Sequence, residues 1–417
     1  MPSIPQAKGV LPMVQASAFW LCPARALLGE NMDEVARPFL RLANGKITQI
    51  ATSDPDSAEP VFECDGLLVP ALIDTQVNGG GGILFNHSPT AEALGTMLDA
   101  HGRYGTGALL PTVISDDVAV MSAALDAAIE ARRLGFDGVA GIHFEGPHLS
   151  VTKRGCHSVA KLRPLGAAEL ALYGRAVREL GACLVTLAPE RVEPSDIRDL
   201  VALGVKVSLG HSDCDFATAM QAINAGARGF THLFNGMSGL TSREPGMLGA
   251  ALYSAQSCSG IILDGEHVHP ATAMLAWRLK GRRGLMLVTD AMSTVGTDTT
   301  EFAFFGGKVV RRGNALRDSN GSLAGSLLTM TGALRYACRT MGIAVADAVA
   351  MATHTPAQFM GFEDRGALVP GARADLLLLD DQLFQCARWQ SGVVVAGTEP
   401  GAGLTLPLAL ITGLSRT

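Results

Sequence analysis

The sequence is poor in charged residues and has no long hydrophobic run, and both absences restrict the kind of protein it encodes. Only 17% of its 417 residues are charged and 48% are hydrophobic, a composition typical of compact globular proteins rather than disordered chains. No segment offers the roughly 18 uninterrupted apolar residues that span a membrane. The formal net charge of −6 provides no general attraction for nucleic acid or anionic lipid. We therefore expect neither a membrane nor a nucleic acid as partner.

The sequence also lacks a cysteine framework and a signal peptide. Its eight cysteines include no C-x-x-C pair and no regular spacing, which argues against both structural disulfides and a cysteine zinc site. The N-terminal stretch MPSIPQAKGVLPMVQ has neither the basic region nor the long apolar region of a secretory signal. These features predict reduced thiols and a cytoplasmic location.

From about residue 67 onward, short runs rich in Val, Ile and Leu alternate with Ala-rich segments of helical character. Near-continuous apolar runs are typical of parallel strands that are buried on both faces. Eight such runs occur: LLVPALIDTQV, ALLPTVI, VAGIHFEG, CLVTLAPE, VKVSLGH, GFTHLFN, SGIILDG and GLMLVTDA. Eight strands with intervening helices predict an α/β fold of the (β/α)8 TIM-barrel type, with a six-strand doubly wound sheet as the alternative.

The two ends of the chain have a different texture, with short β-like pieces separated by Gly, Asn and Asp. We therefore predict a small β-sandwich domain formed jointly by residues 1–66 and 365–417, and a catalytic barrel domain formed by residues 67–364. Within the barrel, the stretch 292–325 contains EFAFFGGKVVRRGN, which predicts a hairpin that projects from the rim.

Four polar residues, Glu145, His211, His232 and Asp290, lie at the C-terminal ends of separate predicted strands. That end of a TIM barrel carries the active site, so we expect the four side chains to converge. One carboxylate and two imidazoles, with an open position for water, fit a catalytic zinc site. Asp290 then fits a general base for that water. The pattern predicts hydrolysis of an amide or ester.

Each of these residues also has an ordinary structural explanation. The histidines could be hydrogen-bonded packing residues, and the two acidic residues could cap helices. Their common placement at strand ends on one face of the barrel favours the functional interpretation, since chance would seldom produce it.

Several longer motifs carry a family resemblance: IDTQVNGGGG, HFEGPHLS followed by KRGCH, LGHSD, THLFNGMSGLTSREPG, LDGEHVH, LVTDAMS, GSLAGSLLTM and GALVPGARADLLLLD. Through them the sequence resembles the N-acetylglucosamine-6-phosphate deacetylase family of the amidohydrolase superfamily, along the barrel and both flanking segments. The resemblance implies hydrolysis of N-acetyl-D-glucosamine 6-phosphate to D-glucosamine 6-phosphate and acetate, in amino-sugar catabolism. The galactosamine epimer, or a different N-acyl or cyclic amide, is the alternative substrate.

The resemblance also implies roles for individual residues. Glu145, His211 and His232 would hold one divalent metal per subunit, Zn²⁺ first, with Fe²⁺, Co²⁺ and Mn²⁺ as alternatives. Asp290 would be the acid/base, and His157 would polarise the acetyl carbonyl. Substrate-binding positions are implied at Gln76, Cys156, Asn235, Gly236, Arg243, Asp264, His267, Leu323, Ala324 and Gly325.

Arg243 and His267 would hold the sugar phosphate, and the family pattern has at least one of them contributed by the partner subunit of a homodimer. Arginine suits this role because its forked, permanently charged donor set matches phosphate oxygens. The ordinary alternatives are a salt bridge between Arg243 and Glu244 and a solvated loop position for His267. Two positions depart from the family pattern: Gly236 stands where many members have Ala, and Cys156 where some have Thr. Cys156 is a poor hydrogen-bond partner and could equally be a small apolar filler.

Gln76 and Asn78 distinguish this resemblance from a two-metal amidohydrolase. Relatives with two metals generally carry a His-x-His pair at this strand end and often a lysine on strand four, where this chain has Glu190. An amide oxygen binds zinc weakly compared with imidazole, so we predict one metal, with Gln76 hydrogen-bonded to the catalytic water or a ligand. A non-catalytic scaffold is the third interpretation, disfavoured because the candidate ligands and Asp290 are all present. A metal content of one, two or none per subunit separates the three.

Overall fold

The computed structural model describes residues 18–396 and 398–403, and the structural statements below concern these residues. The N-terminal stretch considered for a signal peptide, and the outer ends of the predicted sandwich segments, lie outside them. The chain divides into two compact units. One unit spans Leu72–Phe362, and the other joins the segment that ends at Ala71 with the segment that begins at Glu363. No helix within the described residues is long and apolar enough to cross a membrane.

The elements follow one another along the chain with five strands first. These are β1 (Ala18–Leu28), β2 (Asp33–Ala36), β3 (Phe39–Ala43), β4 (Lys46–Ala51) and β5 (Val61–Pro70). The barrel unit begins with β6 (Leu72–Val77), β7 (Gly79–Gly80), β8 (Ile83–Leu84), α1 (Ala91–Gly102), β9 (Thr106–Ile114), α2 (Val118–Arg133), β10 (Ile142–Glu145), α3 (Ala167–Leu180) and β11 (Cys183–Leu187). It continues with α4 (Pro194–Ala202), β12 (Lys206–Leu209), α5 (Phe216–Asn224), β13 (Gly229–Phe230), α6 (Gly246–Tyr253), β14 (Cys258–Ile261), α7 (Pro270–Gly284) and β15 (Leu285–Leu287).

Three strands and three helices complete the barrel unit, and three strands end the described chain. They are β16 (Glu301–Phe304), β17 (Gly307–Arg312), β18 (Ala315–Arg317), α8 (Met330–Arg339), α9 (Val345–Ala352), α10 (His354–Met360), β19 (Leu376–Leu379), β20 (Gln385–Gln390) and β21 (Val393–Ala396).

The smaller unit is one mixed sheet built from both parts of the chain. Its strands follow the order β21-β20-β19-β5-β1-β3-β4, with β2 paired to β1. The central strand β5 runs parallel to β1 and antiparallel to β19. One apolar cluster contains Ile47 of β4 together with Trp389 of β20, so side chains from both ends of the strand order share a core. The sheet therefore encloses its own hydrophobic core.

The larger unit contains the predicted parallel barrel. Its strands follow the order β15-β14-β13-β12-β11-β10-β9-β6, and every neighbouring pair is parallel. A parallel bridge between Val77 and Ala291 joins the first strand to the segment after the last. The main-chain N–H of Asp290 also donates to the Gln76 carbonyl at 3.0 Å. The predicted (β/α)8 fold is confirmed.

The N-terminal end of the barrel is filled by apolar side chains and covered by α10. Buried residues from the strands share one cluster with residues of α10: Ile73, Ala108, Leu110, Ala140, Ala182, Leu184, Ala357 and Met360. Phe359 packs against the same cluster, and a Cβ at Gly229 of β13 would lie 2.8 Å from its ring. Helix α10 therefore plugs this end of the barrel, and glycine at 229 leaves space for the plug.

A polar layer lies between this plug and the C-terminal end of the strands. His143 Nε2 lies 2.8 Å from Thr186 Oγ1, which lies 2.7 Å from Thr231 Oγ1. Thr231 is in turn 2.7 Å from Ser208 Oγ, and Thr112 Oγ1 is 3.3 Å from His143 Nδ1. Because buried polar groups are costly when left unpaired, this chain of partners keeps the four strands β9 to β12 and the residue after β13 in register.

The predicted rim hairpin is present and is extended by a third strand. β16 and β17 pair antiparallel, and their two-residue turn has positive φ at both Phe305 and Gly306, as a type I′ turn requires. β18 adds to β17 on the other side. The apolar face of this rim sheet, with Phe304 and Leu316, packs into a cluster with Ile114 and Met292. It thus covers part of the C-terminal end of the barrel.

Candidate active site

Three candidate ligands converge at the C-terminal end of the barrel strands. Glu145 is the last residue of β10, while His211 and His232 each follow the end of a strand and have positive φ angles of 49° and 32°. Their ligand atoms lie within 4.8 Å of one another. Glu145 Oε1 is 3.2 Å from His211 Nε2 and 3.0 Å from His232 Nε2, and the two Nε2 atoms are 3.0 Å apart.

The other nitrogen of each histidine ring faces a main-chain carbonyl. His211 Nδ1 lies 2.8 Å from the Lys153 oxygen, and His232 Nδ1 lies 3.1 Å from the Asn235 oxygen. A carbonyl can only accept, so both Nδ1 atoms carry the hydrogen and both Nε2 atoms present lone pairs beside Glu145. Two lone pairs and a carboxylate facing one another fit a divalent cation, and the nitrogen and oxygen set suits zinc.

The charges within this cluster are strongly coupled. Burial opposes ionisation of Glu145, but the close approach of the His211 and His232 rings holds its pKa well below the ordinary value. Burial likewise opposes protonation of His232, but the adjacent Glu145 carboxylate raises the pKa of that ring. The cluster therefore keeps its carboxylate ionised and attracts positive charge.

Asp290 lies beside this cluster and is held by two amide side chains. Asn78 Nδ2 donates to Asp290 Oδ1 at 2.6 Å, and Gln76 Nε2 donates to the same oxygen at 3.2 Å. Gln76 Nε2 also donates to Glu145 Oε1 at 3.0 Å, so one amide bridges both carboxylates. Burial, and next the charge of Glu145, raises the pKa of Asp290 to about 6. Asp290 Oδ1 therefore accepts a hydrogen bond from each amide.

His157 is buried at the edge of the same site. Its ring stacks edge-on against His211 with centroids 4.6 Å apart, and its Nδ1 lies 2.8 Å from Ser115 Oγ. Burial, followed by the nearby His211, lowers the pKa of His157 to about 3. The ring is therefore neutral at physiological pH.

A cavity of about 180 Å³ opens onto these groups. It is lined by Asn78, Ile114, Glu145, Gly155, Cys156, His157, His211, His232, Asn235, Gly236, Ile262, His267, Asp290, Met292, Phe304, Leu323 and Gly325. Burial raises the pKa of the Cys156 thiol, which packs beside the rim-sheet cluster as a neutral side chain. Gly236 and Gly325 have positive φ, and a Cβ at Gly325 would lie 2.4 Å from Met292.

Most of the predicted substrate-binding residues line this cavity, and four do not. Gln76 lies behind the carboxylates, and Asp264 lies behind His267, whose Nδ1 is 2.6 Å from Asp264 Oδ2. Burial opposes ionisation of Asp264, but the hydrogen bond from His267 lowers the pKa of this carboxyl group. Ala324 is fully buried in the rim-sheet cluster. Arg243 is exposed on the loop before α6.

Several lining residues were not among the sequence predictions. Ile114, Met292 and Phe304 form an apolar wall. Phe304 comes from the predicted rim hairpin, but the sequence did not indicate that its side chain would line the cavity. The sequence analysis named Asn78 together with Gln76 as evidence for a single metal, but it did not predict the hydrogen bond from Asn78 to Asp290. Ser115 follows the end of β9, so the rule that polar residues after barrel strands form the site could have found it.

An eight-stranded parallel barrel with a carboxylate, two imidazoles and a buried aspartate at the C-terminal strand ends has the architecture of a TIM-barrel metallohydrolase. The model of the amidohydrolase family matches residues 67–399 of this chain. The N-acetylgalactosamine-6-phosphate deacetylase of Shewanella sp. (strain ANA-3) is 56% identical over 334 residues, which cover 80% of this chain and 84% of that protein.

The N-acetylglucosamine-6-phosphate deacetylase of Vibrio furnissii is 33% identical over 366 residues, covering 86% of this chain and 90% of that protein. The crystal structure of N-acetylglucosamine-6-phosphate deacetylase from Pasteurella multocida superposes with a TM-score of 0.85 at 30% identity, over 90% of this chain and 98% of that one. The chain therefore belongs to the amidohydrolase family and, within it, to the amino-sugar-phosphate deacetylases.

Proposed function

We propose that this enzyme hydrolyses the acetamide of N-acetyl-D-glucosamine 6-phosphate, releasing acetate and D-glucosamine 6-phosphate in amino-sugar catabolism. The convergence of Glu145, His211 and His232 beside Asp290 in one cavity carries the proposal. N-acetyl-D-galactosamine 6-phosphate is the second candidate substrate, favoured by the relative of that name at 56% identity. The eight cysteines are free thiols, which supports a cytoplasmic location.

One divalent metal per subunit, with zinc as the first candidate, would be held by Glu145, His211 and His232. It would supply Lewis-acid polarisation of the acetyl carbonyl and lower the pKa of the attacking water. Gln76 and Asn78 support a single metal, because both amides present N–H donors to Asp290 at the position where a second cation would require lone pairs.

Asp290 acts as the acid/base of the proposed reaction. Its Oδ2 takes a proton from the attacking water and later returns it to the departing amine, while Asn78 and Gln76 hold Oδ1. His157 lines the same cavity and stabilises the negative charge that develops on the acetyl oxygen. The apolar wall of Ile114, Met292 and Phe304 offers a water-poor surface for the acetyl methyl group.

The sugar phosphate would be bound by His267 and by Arg243. His267 lines the cavity, whereas Arg243 lies exposed outside it, with no hydrogen bond or ion pair to the described residues. An arginine that serves this site from an exposed loop fits the proposal of a homodimer in which each subunit supplies Arg243 to its partner.

Exposed apolar side chains near that loop support the homodimer. Leu240, three residues before Arg243, is 58% exposed, and Tyr253 at the C-terminal end of α6 is 73% exposed. Leu275 and Leu279, one turn apart on α7, are 59% and 65% exposed. Helices α6 and α7 pack against each other, so the exposed apolar side chains of α7 lie on a helix that neighbours α6, and exposed apolar surface of this kind is typical of subunit interfaces.

Acetate release from both N-acetylhexosamine 6-phosphates and from unphosphorylated N-acetylglucosamine tests the proposal. We expect turnover of the phosphorylated sugars with kcat/KM roughly 30- to 150-fold above the free sugar, because losing a charged phosphate contact costs roughly 2–3 kcal/mol. Equal rates with and without phosphate would refute the roles of His267 and Arg243, and no release from any of the three sugars would refute the proposed function. The ratio of the kcat/KM values for the two epimers decides between the two candidate substrates.

Mixing two variants tests the sharing of Arg243 between subunits. Arg243→Ala should raise KM for the phosphorylated sugar, whereas Arg198→Ala, at an exposed position on α4, should not. Hybrid dimers of Arg243→Ala and Asp290→Asn subunits should regain activity, because one of their two sites combines an intact Asp290 with the partner's intact arginine. A mixture that shows only the summed activity of the parents would contradict an arginine shared across the interface.

The metal content of the purified protein tests the proposed single-metal site. Elemental analysis should find one divalent metal per subunit.

A further inference from the structure

Ser115 lies immediately after β9 and is only 1% exposed. Two of its groups meet the same atom of His157. Its hydroxyl oxygen lies 2.8 Å from His157 Nδ1, and its own main-chain N–H donates to that Nδ1 at 3.3 Å. Both contacts are buried, and neither belongs to the cluster of candidate metal ligands.

These two contacts decide where the imidazole proton lies. A main-chain N–H can only donate, so the Nδ1 that receives it must carry a lone pair. The single proton of the neutral ring then resides on Nε2, the nitrogen that does not face Ser115, and the ring itself lines the cavity. The Ser115 hydroxyl adds a second donor to Nδ1.

An opposite arrangement can be drawn, in which Nδ1–H donates to the serine oxygen and the serine donates to the Glu145 carbonyl. That carbonyl lies 3.5 Å from Ser115 Oγ, at the outer limit of a hydrogen bond. This arrangement would also direct the Ser115 main-chain N–H against an N–H of the ring. The distances therefore favour the arrangement with an unprotonated Nδ1.

The main chain around Ser115 accommodates this hydroxyl specifically. A Cβ at Gly146 would lie 2.3 Å from Ser115 Oγ, so the serine can occupy its place only because residue 146 has no side chain. Ser115 is not among the residues that line the cavity, which argues against a nucleophilic role for its hydroxyl. It acts through His157.

We infer that Ser115 is a positioning residue that fixes His157 as the Nε2–H tautomer, so that His157 serves the reaction as a neutral hydrogen-bond donor to the acetyl oxygen and never as a base. This inference rests on the proposed deacetylation for its catalytic consequence. The tautomer itself is a property of the protein alone, and it can be measured without substrate.

The tautomer can be observed by nitrogen NMR on the zinc-loaded full-length enzyme with ¹⁵N-labelled histidine. The His157 signals are identified by their absence from the spectrum of His157→Gln. We expect Nδ1 to resonate as an unprotonated nitrogen and Nε2 as a protonated one. A protonated Nδ1 would overturn the inference, whether or not the enzyme proves to be a deacetylase.

Two substitutions at His157 provide a kinetic test of the same point. Glutamine places an amide N–H near the position of Nε2, and asparagine places one near the position of Nδ1. Because a lost donor to a developing oxyanion costs roughly 10²–10³-fold in kcat, His157→Gln should retain at least about tenfold more kcat than His157→Asn, with similar KM values. Equal kcat values for the two variants would contradict donation from Nε2.

Ser115→Ala tests the contribution of the hydroxyl. We expect kcat to fall about tenfold with little change in KM, since one neutral hydrogen bond is removed and the main-chain donor to Nδ1 remains. Ser259→Ala is the matched control, because this buried serine has a hydroxyl without a partner among the described residues. Equal kcat values for Ser115→Ala and this control would show that the Ser115 hydroxyl does not position His157. Wild-type enzyme that releases no acetate would instead refute the proposed function and leave the NMR result to decide the tautomer.

Discussion

The two ends of the barrel interior are built by the same strands and are filled in opposite ways. On β11, Leu184 belongs to the apolar cluster under α10, and Thr186 two residues later belongs to the polar layer. On β10, His143 lies in that layer and Glu145 in the candidate metal cluster. Two residues further along a strand, the side chain lies on the same face but belongs to the next layer of the barrel interior. The layers change in this way from apolar packing residues to the polar residues of the candidate site. Stability and reactivity are separated along the barrel axis.

The largest effect should follow from a change at the C-terminal end that leaves packing intact. Asp290→Asn preserves the shape of the side chain and an oxygen that can accept from Asn78 and Gln76, but it removes the general base. We expect kcat for acetate release to fall roughly 10³–10⁴-fold. Metal content and the melting temperature of the metal-loaded enzyme should remain unchanged. Substantial turnover by this variant would exclude Asp290 as the acid/base.

A truncation at the opposite end should have the reverse pattern. Leu184→Ala opens a cavity in the apolar cluster beneath α10. We expect the free energy of unfolding of the metal-loaded enzyme to fall by about 2–5 kcal/mol, as for other buried leucines, while kcat stays within about twofold. Denaturant titration and initial rates measure the two quantities. Leu203→Ala, at a position 41% exposed, is the control and should change stability by less than about 0.5 kcal/mol. A large loss of kcat in Leu184→Ala would show that the two ends are coupled.

A smaller effect should appear in the acid stability of the C-terminal end. His101 of α1 is buried, and its Nε2 lies 2.8 Å from the carbonyl of Gly79 in the short strand β7. Burial lowers the pKa of His101 to about 4 from an ordinary value of 6.5. The folded state therefore favours the neutral ring, and the stability this contributes is present above pH 6.5 and is lost as the pH falls towards 4.

His101→Gln isolates this contribution because it retains a donor for Gly79 but cannot titrate. Between pH 6.5 and pH 4, each unit of decrease in pH should lower the unfolding free energy of wild type by about 1.4 kcal/mol relative to that of the variant. Denaturant midpoints measured between pH 7 and pH 4 check this slope, and the exposed His87→Gln serves as control. A pH-independent difference would show that the folded protein accommodates a charged His101.

The barrel and its polar strand ends could be predicted because strands buried on both faces produce continuous apolar runs, and a residue type that interrupts them at one end stands out. Glu145, His211 and His232 were recognisable in this way, and the structure brings them together. The rim sheet was only partly predictable, since β18 has three residues and no usable periodicity. The sequence consequently did not predict that Phe304 lines the cavity.

Contacts made through main-chain atoms also could not be predicted from the sequence. The carbonyls of Lys153 and Asn235 orient the two candidate ligand histidines, and any residue type could supply them. The amides of Gln76 and Asn78 were anticipated as neighbours of the site, but their common acceptor on Asp290 depends on how the last strand closes against the first. Side-chain chemistry is visible in the sequence, whereas the orientation imposed by the main chain is not.

The plug at the N-terminal end of the barrel also determines when the chain can finish folding. Helix α10 is the last helix of its unit, yet it packs against Ile73 and Ala108 from the first two barrel strands. During synthesis those strands emerge early and wait for a partner that comes almost at the end of the barrel sequence, and closing so long a loop is slow. Until α10 leaves the ribosome, the apolar end of the barrel is open to water and to other nascent chains. We therefore expect the apolar end of the barrel to be the part of this enzyme most exposed to aggregation during translation.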